Sequence, residues 1–124
     1  MSSSLLSSEA IVSVQPYVDL PCSVQLDVHL LMHKVWGDPL LPPSDPIVSP
    51  HNIDYSPCSC TVYVNGILAS YAAVLTFPVA HHGVTFLASG LSCVATSPDF
   101  ERHGFGSLAV NAATQHILHS SVDI

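Results

Sequence analysis

The run Leu91-Ser-Cys-Val-Ala-Thr-Ser-Pro-Asp-Phe-Glu-Arg-His-Gly-Phe-Gly-Ser107, continued by Leu108-Ala-Val-Asn-Ala-Ala-Thr-Gln-His-Ile-Leu-His119, decides the fold. Leu91 to Ala95 is apolar and strand-like, and Pro98 and Asp99 stop it. The alanine-rich stretch after Gly106 then places Leu108, Ala112 and Ile117 near one face of a helix. The unit reads as strand, tight loop, helix. Gly104 and Gly106 stand where the helix begins and remove side chains from a loop whose N–H groups point along the coming axis, so an anion can approach closely. Ser107 adds a hydroxyl, and the helix dipole adds roughly half a positive charge.

Val94-Ala-Thr-Ser-Pro-Asp-Phe-Glu-Arg-His-Gly-Phe-Gly106 resembles the acetyl-CoA-binding signature of the GNAT superfamily of acyl-CoA N-acyltransferases. In that family an Arg or Gln, two residues, a Gly, one residue and a Gly or Ala wrap the coenzyme A pyrophosphate. Gly104 and Gly106 match, as does Pro98 upstream; Glu101 stands where the Arg or Gln belongs, with Arg102 one residue later. A carboxylate facing a pyrophosphate is repulsive, so the resemblance gives the cationic role to Arg102 or implies weakened binding. It also implies that the backbone of Val94, Ala95 and Thr96 pairs with the pantetheine arm. The pyrophosphate then rests on Arg102, His103, Gly104, Phe105, Gly106 and Ser107, and Glu101 counts among the cofactor-binding positions as the departure from the signature.

Working outward, residues 1–10 are serine-rich and read as disordered, and residues 11–124 as one domain. Ile11 to Tyr17 reads as a first strand ended by Pro16. Asp19 then caps a helix with Pro21 in its first turn, whose buried face is Leu20, Val24, Val28, Leu31 and Val35 and which Gly37 stops. Residues 38–57 carry six prolines and form a loop. By the resemblance, His51, Asp54 and Tyr55 in it meet the acceptor. Cys58 to Val64 alternates, Asn65-Gly66 is a two-residue hairpin turn, and Ile67 to Phe77 returns until Pro78. His81-His82-Gly83 is the next turn, and Val84 to Ala95 a fourth strand with a bulge expected at Ser89-Gly90. Val122-Asp123-Ile124 reads as the start of a parallel fifth strand. The expected fold is a mixed α/β sheet of the GNAT type, strands one to four antiparallel. The resemblance covers residues 11–124, about the first two-thirds of a family domain. Sheet surface left uncovered by such a truncation predicts self-association.

Of 124 residues, 48% are hydrophobic and 9% charged, and Lys34 and Arg102 are the two basic residues against nine acidic ones. A net charge of −7 argues against nucleic acid and anionic membranes as partners. With no long apolar span and no secretory leader pattern, the chain reads as cytoplasmic, its cysteines 22, 58, 60 and 93 reduced.

The resemblance implies acetyl transfer from acetyl-CoA to an amine of a small molecule or peptide. The amine must be neutral to attack, so a base is required. His51, His81, His82 and Asp54 are the candidates, and no catalytic residue is assigned. The backbone N–H near Val94 is placed to polarise the thioester carbonyl. His103 donates to a phosphate when protonated or is simply solvated, and Cys93 reads as a packed thiol. Two readings compete. A zinc site from Cys58, Cys60, His116 and His119 has poor spacing, so no metal is assigned. A non-catalytic acyl-CoA-binding or interaction domain is favoured by Glu101.

Overall fold

A computed structural model of the chain describes residues 10–37, 52–120 and 122. Its elements are β1 (Ala10–Pro16), α1 (Cys22–Trp36), β2 (Cys58–Val64), β3 (Ile67–His81), β4 (Val84–Thr96) and α2 (Phe105–Leu118). Single 3-10 turns lie at Tyr17–Asp19, Ile53–Tyr55 and Pro98–Phe100. The four strands form one antiparallel sheet in the order β1-β2-β3-β4.

Two tight turns fix its register. Asn65 and Gly66 have φ of 52° and 79°, and His82 and Gly83 have 49° and 76°. Positive φ at both central residues is the type I′ geometry, whose twist matches that of paired strands. The first turn sits where expected. In the second, His81 still pairs with Val84, so β3 runs through Pro78 instead of ending there. The reason is that β2 stops at Cys58, opposite Val74, so among the described residues nothing pairs with that side of β3 beyond that point, and the strand tolerates a residue without an N–H.

The expected bulge also moves. Ser89 and Gly90 pair regularly with Thr76 and Leu75. The register breaks instead between Tyr71–Ala95 and Ala73–Ser92, which sets Cys93 and Val94 opposite Ala72 alone. Cys93 carries the positive φ of 53° that such a bulge needs.

Helix α1 starts at Cys22 with Pro21 as its N-cap, and no side chain caps it. Asp19 therefore does not cap the helix. Leu20 precedes a proline, which forces it extended, so the chain makes a 3-10 turn first, closed by Leu20 N–H on Tyr17 O at 3.1 Å. At the other end Gly37 adopts φ 71° and donates to His33 O at 2.8 Å, ending the helix as its sequence position predicts.

The helices cover opposite faces of the sheet. On one, Cys60, Val62, Ala72 and Val74 pack against Phe105, Ala109 and Ala113 of α2. On the other, Leu68, Tyr71 and Ala73 pack against Val28, Leu31 and Met32 of α1, with Tyr17 and Leu20. The buried stripe of α2 is thus Phe105, Ala109 and Ala113, rotated by one residue from Leu108, Ala112 and Ile117, which pack at its margin. Small residues face inward because the helix lies close: a Cβ on Gly106 would stand 2.8 Å from Thr96 Oγ1. The buried polar pair Ser59 Oγ and Tyr71 OH satisfy each other at 2.7 Å.

Residues 1–9, 38–51, 121, 123 and 124 lie outside the described residues. The expected disordered start, most of the proline loop with His51, and the fifth strand beyond Val122 fall there. Val122 itself is not in a strand.

Burial pushes the Cys60 thiol up from 9.0 to about 12, with the neighbouring Cys58 adding to it, and raises Cys58 as well. Burial moves the Tyr17 phenol from 10.0 to about 12. Each group keeps its proton in the native chain over a range where the unfolded chain has lost it. Their contribution is therefore complete below about pH 9 and is lost as pH rises towards about 12, at roughly 1.4 kcal/mol per pH unit per group that differs. Urea melts under reductant should show the midpoint falling from pH 9 upward, and Cys60→Ala should show a shallower fall.

Candidate functional site

Every residue of the glycine loop comes to one end of the sheet. Thr96 ends β4, the Pro98–Phe100 turn carries the chain off the sheet edge, and Gly104 caps α2. Thr96, Phe100, Glu101, Arg102, Gly104, Phe105, Gly106 and Ser107 line one cavity of about 490 Å³. A shallower groove of about 610 Å³ continues from Gly106 and Ser107 along Val94, Leu108, Asn111 and Thr114. The two open spaces join the bulge to the loop.

The two glycines have different duties. Gly104 has φ 81° and open space where a Cβ would be, so its role is backbone conformation and access. Gly106 has ordinary φ but no room: Thr96 Oγ1 occupies the Cβ direction, held by Ser70 Oγ at 3.0 Å, and Ser70 Oγ in turn donates to Ala95 O at 3.0 Å. Gly106 therefore sets how closely α2 meets the end of β4.

No side chain caps α2. The N–H groups of Phe105, Gly106 and Ser107 open its first turn, where an intrahelical acceptor is missing by construction. That end attracts an anion. Its charged surroundings are few. Lys34 Nζ, at the last turn of α1, pairs with Asp99 Oδ2 at 2.6 Å, both groups exposed. Arg102 is exposed and has no carboxylate partner among the described residues; its φ is 68°. Glu101 is exposed beside it. His103 stacks on the ring of Phe105 with centroids 5.8 Å apart, and Phe105 is anchored in the core against Phe100. A stacked imidazole at the loop is a feature that spacing alone does not show.

The expected base candidates do not gather here. His81 and His82 lie at the far end of β4, their rings 4.1 Å apart, separated from Thr96 by the strand Val84–Thr96, about 40 Å at strand rise. Asp54 and Tyr55 are exposed in their 3-10 turn, where Tyr55 packs on Phe77 at 5.4 Å. His51 lies outside the described residues. Cys93 occupies the bulge, half-buried, with Ser92 Oγ 3.6 Å from its sulfur. Cys58 and Cys60 are buried in the sheet, and Cys58 and His116 both line a cavity of about 620 Å³, apart from the glycine loop, with Gln15, Ser56 and Thr76. Among the described residues no three His, Cys, Asp or Glu come together as metal ligands.

No protein-family model matches the sequence, and no curated protein does. Solved structures do match. An aminoglycoside acetyltransferase from an uncultured soil metagenomic sample superposes with a TM-score of 0.68 at 13% identity, over 94% of this chain and 75% of that one. ElaA of Escherichia coli gives 0.61 at 13% identity, covering 92% and 73%. A ribosomal-protein-alanine N-acetyltransferase of Brucella melitensis gives 0.58 at 12% identity, covering 91% and 76%. At these identities the likeness is one of fold.

Proposed function

Because the chain has the fold of the GNAT N-acetyltransferases, we propose that it binds acetyl-CoA at the glycine loop and transfers the acetyl group to an amine. The observation that carries this reading is the uncapped first turn of α2, opened by Gly104, from which an adjoining groove that shares Gly106 and Ser107 reaches Val94 in the bulge. The pyrophosphate takes the N–H groups of Phe105, Gly106 and Ser107 in place of a side-chain cap, with Arg102 as the cation. Thr96 and Ala95 lead the pantetheine arm along β4 to Val94. The residues of the binding site are then Val94, Ala95, Thr96, Glu101, Arg102, His103, Gly104, Phe105, Gly106 and Ser107.

Transfer forms a C–N bond between the neutral amine and the thioester carbonyl carbon, develops an oxyanion, breaks the C–S bond and returns a proton to sulfur. The Val94 N–H, at the bulge where the β3–β4 register shifts, is the donor for that oxyanion. The base stays unassigned, since no candidate carboxylate or imidazole is beside the bulge among the described residues. Four free cysteines suit a cytoplasmic protein, and no helix among the described residues is long and apolar enough to cross a membrane. A small-molecule or peptide amine is the acceptor class.

Glu101 supports a second reading, an acyl-CoA-binding domain without turnover. Calorimetric titration with acetyl-CoA separates the possibilities. Binding by the wild type, tightened roughly fivefold in Glu101→Gln by removal of one like charge, is the expected result. A folded chain that binds no acetyl-CoA in either form ends the proposal. Binding without acetyl transfer to any amine in a panel of polyamines, aminoglycosides and peptides selects the second reading.

A further inference from the structure

Strand β1 is the outer strand of the sheet, and nothing among the described residues pairs with its free side. Folded proteins protect such an edge with a charge, an internal proline, a bulge or a cover. β1 has none of these within it. Its seven residues pair with β2 in unbroken register from Ala10–Val64 to Pro16–Cys58, so the edge is regular along its length. No charged residue occurs from Ala10 to Val18, and proline comes only at the last position. One face of the strand presents Val12, 43% exposed, and Val14, 41%; the other presents Ile11, 66% exposed, beside Ser13 and Gln15.

We propose that this edge is where a second copy of the chain docks, antiparallel about a two-fold axis through Ser13, extending the sheet from four strands to eight. Self-complementarity selects a second copy over a foreign strand. Val12-Ser13-Val14 reads the same in both directions. A two-fold through Ser13 sets Val12 against the partner's Val14 twice on one face, and Ile11 against the partner's Gln15 twice on the other. Directly opposed β-branched pairs are a favourable unit of sheet stabilisation, and an interface made of one patch meeting itself is the commonest closed symmetry. Charge permits the contact at this strip. Each copy carries −7, so two copies approach best along a neutral strip, and β1 provides one between Glu9 and Asp19. The proposal is independent of acetyl transfer, since the glycine loop is reached from β4, at the opposite edge of the sheet.

Light scattering on a sizing column should give twice 13.1 kDa at high protein concentration, with dissociation on dilution. Val12→Lys should be monomeric at all concentrations with an unchanged far-UV spectrum. In a Cys22→Ser background, Ser13→Cys should oxidise to a covalent dimer, because opposed Cα atoms in such a pair lie within disulfide reach, whereas Ile11→Cys should not. A wild type that is monomeric at every concentration overturns the proposal. So does a dimer that neither responds to Val12→Lys nor cross-links through Ser13→Cys, which would place the contact elsewhere. If Val12→Lys does not fold, cross-linking and the concentration dependence of amide exchange at residues 10–16 decide alone, with unchanged exchange counting against.

Discussion

Ser107→Asp should abolish acetyl-CoA binding while leaving the fold as stable as before or slightly more so. Ser107 is exposed at the third residue of α2. A carboxylate there interacts favourably with the helix dipole, by about 0.5 kcal/mol. The same carboxylate occupies the place proposed for a pyrophosphate oxygen and repels it. Affinity should fall at least tenfold, about 1.4 kcal/mol or more. The opposite signs matter: a variant that loses binding because it unfolds would show a lower melting temperature, and this one should not. Equal affinity in the two proteins would mean that the anion does not sit on α2.

Gly106→Ala should destabilise, against what helix propensity alone predicts. In an open helix the change gains about 1 kcal/mol. Here the new methyl would stand 2.8 Å from Thr96 Oγ1, and Thr96 cannot turn away freely, being β-branched and hydrogen-bonded to Ser70. Overpacking of this kind costs roughly 1–3 kcal/mol, so the net expected effect is a loss of about 1 kcal/mol, read from the urea midpoint. Thr96→Ala should relieve it: the double variant Gly106→Ala, Thr96→Ala should be more stable than Gly106→Ala alone, since Ser70 keeps its bond to Ala95 O. Additive effects would show that the contact is not what makes Gly106 necessary.

The strand-loop-helix unit was legible because its signals are local. Pro98 and Gly104 act on their own φ, and Asn65-Gly66 specifies a turn from two residues. What could not be read depends on neighbours distant in sequence. Pro78 looks like a terminator until β2 is seen to stop opposite Val74, leaving the edge unpaired among the described residues. Gly90 looks like a bulge, yet the bulge falls at Cys93, a residue type that gives no hint of positive φ. The stripe of α2 was displaced by one residue because alanines are neutral in a hydrophobic pattern, and only contact with Thr96 and Ser70 shows how near the helix lies. Gly106 reads in the sequence as an opening for an anion, and the structure adds a packing demand at the same position that is present whether or not an anion binds. His103 gave no sign of stacking on Phe105. The base candidates failed by distance, since strand length converts His81 and His82 from near neighbours in a list of histidines into groups about 40 Å from the loop.

The two type I′ turns also divide the molecule in time. β2, β3 and β4 meet across two-residue connections, and hairpins of that kind close in about 1–10 μs. β1 must instead find β2 across residues 17–57, paying the closure entropy of a long loop before any contact rewards it. The meander Cys58–Thr96 is therefore the natural nucleus, and β1 with α1 is the last part to arrive and the first to depart. Until it arrives, β2 stands with an unsatisfied side of its own, Cys58 to Val64. The chain is most at risk of mispairing during that interval, before the native sheet is complete.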